Sequence, residues 1–465
     1  MRTFLGIDVG TSFIKGAVLD LEKLTLGPTR RLPFPHRIPD QPASFHEVDP
    51  REIVAATRQL IEQLLEQAPD CAGLVMSGQM GGLILGTARG KPLSNYISWQ
   101  DKRVVLDHPS GGGSFFDVMR QRMSEEDWRH LGREVRPGLP VSFLFWMAEN
   151  KQLPEGRVFA FNLPDWVLAN LCDCPPATHF TQGVGALSLE TLRWHEPVFA
   201  KLGYEQVRWP TLREITEPVG VLEINSQRLT CYPPVGDHQC SLAGAFIGFN
   251  ELSLNVSTGS QASLLTPRWE PGNYQTRPFF DGRFLNTITH LPAGRSMNLL
   301  VDLLTELAAA QKLQIKNPWP YIAEEVEKAG ETDLGINLAF YPGPMGDHGA
   351  ITNIRETNLT VGNLFRAAFA NMADSYLAAA LRLSPKRAWR NLLFSGGLAL
   401  QSEFLRNLIS KKLESEYRMC SSTEDALQGL LALALVIGSR AASVEQAIRI
   451  LKDNEKSIPV KKDTP

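Results

Sequence analysis

Two short turns of similar make-up, about half the chain apart, constrain the fold of this sequence more than any other feature. The first, Asp8-Val9-Gly10-Thr11-Ser12, joins the apolar stretches 4–7 and 13–19, so residues 4–20 read as a two-stranded hairpin. The second, Asn255-Val256-Ser257-Thr258-Gly259-Ser260, follows an apolar stretch beginning at Leu252 and precedes another at 262–265. Both are strand-exit turns of small, hydroxyl-bearing residues. Chance similarity of short turns is one reading; two related α/β units facing a cleft, with both turns on one ligand, is the other.

The segments between them alternate strand, helix and strand. Asp49-Pro50-Arg51-Glu52 places a capping aspartate, a first-turn proline and a capping-box glutamate before Ile53, Leu60, Ile61, Leu64 and Leu65, which predicts a helix over 50–67. The apolar stretch 72–76 then runs into Ser77-Gly78-Gln79-Met80-Gly81-Gly82, a strand followed by the kind of glycine-rich loop that contacts ligands in open α/β sheets. Residues 111–218 read as an insertion, opening on a Gly-Gly-Gly loop at 111–113. A second α/β segment starts near Thr230, passes through Gly236-Asp237-His238-Gln239 into a helix that ends near Phe249, and contains the strand–Gly-Gly–helix pattern at 392–402. For 465 residues this divides the chain into two halves of about 230 residues: an expected first domain at 1–228, a second at 229–450, and a polar tail at 451–465.

Charge narrows the partners. With 47 Lys+Arg against 50 Asp+Glu and a formal charge of −3, bulk electrostatics will not draw the chain onto nucleic acid or an anionic membrane. The longest apolar run, 430–437, is far short of the roughly 20 residues of a membrane span. Asp8 and Lys15 interrupt the region a signal peptide would need apolar. Six scattered cysteines, the closest pair spaced C-x-C at Cys172 and Cys174, form neither a disulfide framework nor a zinc pattern. A cytoplasmic protein is expected.

The turns suggest phosphate chemistry. Gly10-Thr11-Ser12 offers backbone N–H groups and hydroxyls without bulk, Lys15 stands just beyond as a possible source of positive charge, and Asp8 is suited to hold Mg²⁺ through water. An ordinary hairpin turn with a capping aspartate is the alternative. No G-x-x-x-x-G-K-[ST] occurs, so a nucleotide would not bind through a Walker loop. Asp237, at a strand end and helix start, reads either as a general base for a substrate hydroxyl or as a helix N-cap. His238 beside it reads first as a packing or hydrogen-bonding residue. The glycines at 396 and 397 allow close approach of a ring or phosphate, or serve only steric ends.

Taken in order, these pieces resemble the FGGY family of carbohydrate kinases, whose fold is a pair of actin-like (ribonuclease H-like) ATPase domains around a cleft. Gly6 to Ser12 with Lys15 is similar to the first phosphate motif, Val256 to Ser260 to the second, and Ser395-Gly396-Gly397 through Gln401 to the adenosine motif. Ser77 to Gly82 resembles the substrate loop of xylulokinases, and Trp99-Gln100-Asp101-Lys102-Arg103 the W-x-D-x-R stretch after it. Gly236 to Gln239 is similar to the catalytic aspartate motif, nearest the G-D-x-Q forms of glycerol kinases and sedoheptulokinases. Gly138 to Asn150 resembles a signature around a buried tryptophan.

The resemblance implies ATP and Mg²⁺ as cofactors and a sugar as substrate, most closely sedoheptulose, with xylulose, glycerol or another polyol as alternatives. It implies Asp237 as catalytic base and, with Asp8, metal ligand. Gly10, Thr11, Ser12, Lys15, Gly259, Ser260, Gly396, Gly397 and Gln401 would bind the nucleotide. Gln79, Met80, Trp99, Asp101, Arg103 and Gln239 would contact the sugar, core packing remaining the alternative for Trp99 and a structural ion pair with Asp101 for Arg103. A homodimer is common in the family. Three departures stand out: Met80-Gly81 replaces the usual Met-His, Phe143 stands where lysine is usual, and 340–347 resembles F-x-P-x-x-x-G-E-R without its Glu-Arg.

Overall fold

The computed structural model describes residues 3–457 and contains two principal β-sheets with helices packed against them. In the first sheet the strand Thr3–Val9 is central. It pairs antiparallel with Phe13–Asp20 through the first turn and parallel with Gly73–Gly78. In the second sheet Glu251–Asn255 pairs antiparallel with Ser260–Thr266 through the second turn and parallel with Asn391–Ser395. The registers correspond as well: Asp8 lies opposite Lys15 and Ser77, and Asn255 opposite Gln261 and Ser395. The repeat read from two turns is a repeat of sheet topology.

The helix Pro50–Leu65 forms where expected, with the Asp49 side chain accepting from Arg51 N and the apolar series buried against the first sheet. The Gly-Gly-Gly at 111–113 is an exposed turn with positive φ throughout. Residues 115–207 contribute a separate aromatic-rich core around Phe143, Phe145 and Trp146.

The hairpin Gly220–Ile224 and Gln227–Cys231 and the short strand Val235–Gly236 all pair within the first sheet. The division expected at 228/229 thus falls inside a strand, because the N-terminal sheet is completed only at Gly236. The polar tail expected from 451 begins instead as the last turns of the helix Val444–Ser457, with Leu451 fully buried; residues 458–465 lie outside the described residues.

Two helices join the halves. Asp425–Ile437 is apolar on nearly every face, as a helix buried all round must be. It packs on Asp237–Gly244 and on the strands of the first sheet, in a core that also holds Leu265, Phe280, Leu285 and Leu393 from the second half. The two cross very closely: a Cβ on Gly244 would lie 1.8 Å from Asp425 O, and one on Gly429 would lie 2.0 Å from Cys240 O. In this crossing the N-terminus of Asp425–Ile437 meets the C-terminal end of Asp237–Gly244, and the aspartates that open the two helices border one cavity. Among the described residues no helix is long and apolar enough to cross a membrane.

Candidate active site

Between the halves lies a cavity of about 500 Å³, lined from the first by Thr11, Gln79, Met80 and Trp99 and from the second by Asp237, Gly259, Ser260 and Asp425. The exit turns of both central strands therefore reach one cleft. On the first turn, Thr11 Oγ1 donates to Gln79 Oε1 (3.2 Å) and accepts from Trp99 Nε1 (3.1 Å). Trp99 is 44% exposed, so it is a cleft wall and not a core residue. Gly10 N closes the turn on Phe13 O at 3.1 Å, and Ser12 is exposed beyond it.

The second turn is stiffened by Ser257 Oγ donating to Asn255 Oδ1 at 2.7 Å, and Tyr376 OH donates to Ser260 Oγ at 2.8 Å. Around Gly259 there is open space where a side chain would be. Gly396 and Gly397 lie outside the cavity but directly behind this turn. With φ +91°, Gly396 sits so close that a Cβ would be 2.6 Å from Val256 O, and Leu398 N donates to that same oxygen. Gln401 ends the short helix Gly397–Gln401, with its side chain exposed.

Asp237 begins its helix after the N-cap Gly236, its Oδ1 accepting from His238 N at 2.7 Å. Burial, reinforced by the charges of Asp8 and Asp425, pushes its carboxyl up to about 7, against the pull of Arg277. Asp425, which the sequence reading missed, is likewise raised by burial, to about 6. Burial raises Asp8 too, although Ser77 Oγ donates to its Oδ1 at 2.8 Å and Lys15 is near. Among the described residues no three His, Cys, Asp or Glu side chains converge to hold a metal ion by themselves. Mg²⁺ needs only one or two carboxylates beside water and phosphate, and two buried carboxylates, Asp8 and Asp237, the second held up in part by the charge of the first, suit that donor set.

Several expected contacts go elsewhere. Asp101 and Arg103 do not line the cleft: the Asp101 carboxylate takes Arg103 Nε (2.9 Å), Arg103 Nη2 (2.8 Å) and His46 N (2.6 Å), and Arg103 also reaches Glu47. Both are buried, with the Arg103 guanidinium 4.1 Å from the Phe45 ring centre, so this pair ties the segment 45–47 to the segment 101–103. Gln239 is fully buried, its amide donating to Thr181 O and Pro278 O. Lys15 forms an ion pair with Glu424. In the loop after Gly73–Gly78, Gly81 has φ +108° and a Cβ there would lie 2.9 Å from Gly138 O, which accounts for glycine where histidine is usual.

Four further cleft residues come from parts of the chain without motifs. Arg136, Arg277, Thr289 and His290 line the same cavity. Arg277 is buried, ion-paired with Glu134, and its Nη1 donates to His238 Nδ1 at 2.7 Å.

A sequence profile described as the FGGY family of carbohydrate kinases, N-terminal domain, matches residues 3–235. Mouse sedoheptulokinase is 22% identical over an alignment covering 88% of this chain and 92% of that protein. The xylulose kinase of Bacillus subtilis is 24% identical, over 53% of this chain and 50% of the relative. In fold, a ligand-bound xylulose kinase from Lactobacillus acidophilus superposes with a TM-score of 0.81 at 18% identity, covering 97% of this chain and 92% of that one. The two-sheet architecture is thus the actin-like two-domain ATPase fold of these kinases.

Proposed function

With the chain a member of the FGGY family of carbohydrate kinases, and so a phosphotransferase, we propose that it transfers the terminal phosphoryl group of ATP to a hydroxyl of a sugar, with Asp237 as the base. The observation that carries this is the place of Asp237: in the cleft between the two small-residue turns, with a carboxyl raised to about 7 by burial and by Asp8 and Asp425. A base tuned near neutrality can take a hydroxyl proton as the bond to phosphorus forms.

In this reading the backbone of Gly10 to Ser12 and of Gly259 to Ser260 grips the phosphates from opposite sides. Gly396, Gly397 and Gln401 lie against the adenosine. Phosphoryl transfer has a loose transition state, so positioning and charge neutralisation supply most of the acceleration. Asp8 and Asp237 would hold Mg²⁺, which would neutralise phosphate charge. Gln79, Met80 and Trp99 form the sugar side of the cleft, Trp99 offering an apolar face to the C–H side of the ring. Sedoheptulose is the first sugar to test, because the match to mouse sedoheptulokinase spans most of both chains.

The test is ADP release with MgATP across a panel of ketoses, polyols and sugar acids. Sugar-dependent ADP formation with one phosphate ester per ADP is the expected result. ATP hydrolysis independent of any sugar, or sugar binding without turnover, would overturn the reading.

A further inference from the structure

The edge strand of the second sheet, Gln275–Pro278, is held between the insertion of the first half and the helix that opens on Asp237. Three consecutive residues of the strand make the contacts. Thr276 N donates to Gly132 O at 2.8 Å, so the insertion docks along this edge. Gly132 permits the approach: it has φ +66°, and a Cβ there would lie 2.2 Å from Thr276 O. Arg277 Nε donates to Glu134, which also belongs to the insertion. Pro278 O accepts from the Gln239 amide at 3.1 Å.

The same strand holds the start of the helix Asp237–Gly244. Arginine only donates, so in the 2.7 Å contact between Arg277 Nη1 and the His238 ring the Nδ1 atom accepts. His238 N in turn donates to Asp237 Oδ1 at 2.7 Å. Both residues that follow Asp237 are thus anchored on the strand, His238 through Arg277 and Gln239 through Pro278. A continuous series of contacts runs from Glu134 through Arg277 and His238 to the carboxylate in the cleft.

Docking of the halves does not by itself call for the Glu134–Arg277 pair. The Arg277 and Glu134 side chains are 3% and 1% exposed, and a buried ion pair seldom adds net stability over apolar side chains of the same volume. Glu134 Oε2 is buried without a partner, which adds to the cost. What the pair supplies and apolar packing does not is direction: it fixes the guanidinium plane, and with it the His238 ring. With Nε and Nη1 both engaged, Arg277 borders the cavity but has no free two-pronged edge to offer a ligand.

From this arrangement we infer that Glu134 and Arg277 are positioning residues for Asp237: the insertion of the first half, by holding Arg277, sets the aim of the base through His238. The inference rests on the phosphoryl transfer proposed above and assigns to that site two residues that act through a third.

The experiment compares Glu134→Gln, Arg277→Gln and the double variant with the wild type, the melting temperature reporting whether each is folded. With MgATP and the best acceptor, Arg277→Gln should lower kcat at least ~10-fold and leave both KM values within about threefold, because a misaimed base is felt chiefly in the transition state. Glu134→Gln should lower kcat as well, and the double variant should be no slower than Arg277→Gln, since the two residues act as one unit. The double variant leaves neither charge unpaired, so it carries the test if a single variant does not fold. Hydrogen exchange in peptides spanning 236–244 should quicken in every folded variant, a readout that needs no turnover. An unchanged kcat in folded Arg277→Gln would overturn the inference. So would a loss confined to the KM for the sugar, the result expected if Arg277 touches the acceptor, and so would additive losses in the double variant or unchanged exchange at 236–244. A wild type that forms no ADP with any acceptor would count against the phosphoryl-transfer reading instead, and the exchange result would then decide the inference.

Discussion

Lys15 Nζ lies 2.8 Å from Glu424 Oε2, joining the first hairpin to the N-cap of the helix Asp425–Ile437. The lysine next to the first phosphate turn is therefore held at the helix crossing by a partner some four hundred positions away in sequence. The side chains are 29% and 19% exposed, and a pair so placed contributes about 1 kcal/mol or less. Lys15→Ala should therefore lower the free energy of unfolding by no more than about 1 kcal/mol in urea titration, while raising KM for ATP severalfold. An unchanged KM for ATP would remove Lys15 from the nucleotide site.

Asp237→Asn retains the shape of the side chain and the acceptor for His238 N but cannot take a proton. The rate constant kcat should fall by at least ~10². In the wild type, kcat/KM should rise about tenfold per pH unit below the Asp237 value of about 7 and level off above it, since the ionised form is the active one. Asp425→Asn removes one of the two negative charges that hold that value up, so the limb of the profile should move to lower pH. A limb that stays in place would show that another group titrates.

The parts of the site legible in the sequence are those whose chemistry lies in consecutive residues. The turns at Gly10 and Gly259, the tetrad around Asp237 and the glycines at 396 and 397 each announce a strand exit by local composition alone. Asp101 and Arg103 show the limit of that reading: their spacing marks a pair of polar groups but not its direction, and the two side chains close on each other and Glu47 rather than on the cleft. Arg136, Arg277 and Asp425 carry no local signal. They meet only because a loop, a second-sheet strand and a helix converge, and the helix crossing that brings Asp425 in depends on Gly244 and Gly429, which lie far apart in sequence. The sheet repeat was legible, whereas the point where the first sheet ends was not, because the hairpin Gly220–Ile224 and Gln227–Cys231 returns to it after a long insertion.

Gly81 gives a test of the substrate loop. Gly81→His restores the Met-His pair usual in xylulokinases, but the backbone there has φ +108° and the new Cβ would press on Gly138 O at 2.9 Å. A side chain forced into that region costs about 1–3 kcal/mol. The variant should be destabilised by that amount in denaturant titration and should gain no activity toward xylulose. A stable variant that phosphorylates xylulose would mean that this loop selects the acceptor.

Asp165 lies outside the cleft and makes a cleaner test of buried charge. It sits in the first turn of the helix Leu163–Cys172, its Oδ2 accepts from Asn162 N and Nδ2, and its Oδ1 is buried without a partner. Burial raises its carboxyl to about 7, against the hydrogen bonds from Asn162 that lower it. In the unfolded chain the same group titrates near ~3.9. Between those values the native state holds a proton that the unfolded state releases, so this group's contribution to stability is fully present below about pH 4 and is lost as pH rises to about 7. Asp165→Asn keeps an acceptor for the cap and has no proton to lose. Its urea midpoint should exceed that of the wild type at pH 8, and the decline in stability from pH 5 to pH 7 should become shallower by up to ~1.4 kcal/mol per pH unit, the value for one proton. A decline as steep as in the wild type would show that Asp165 is ionised in the folded protein.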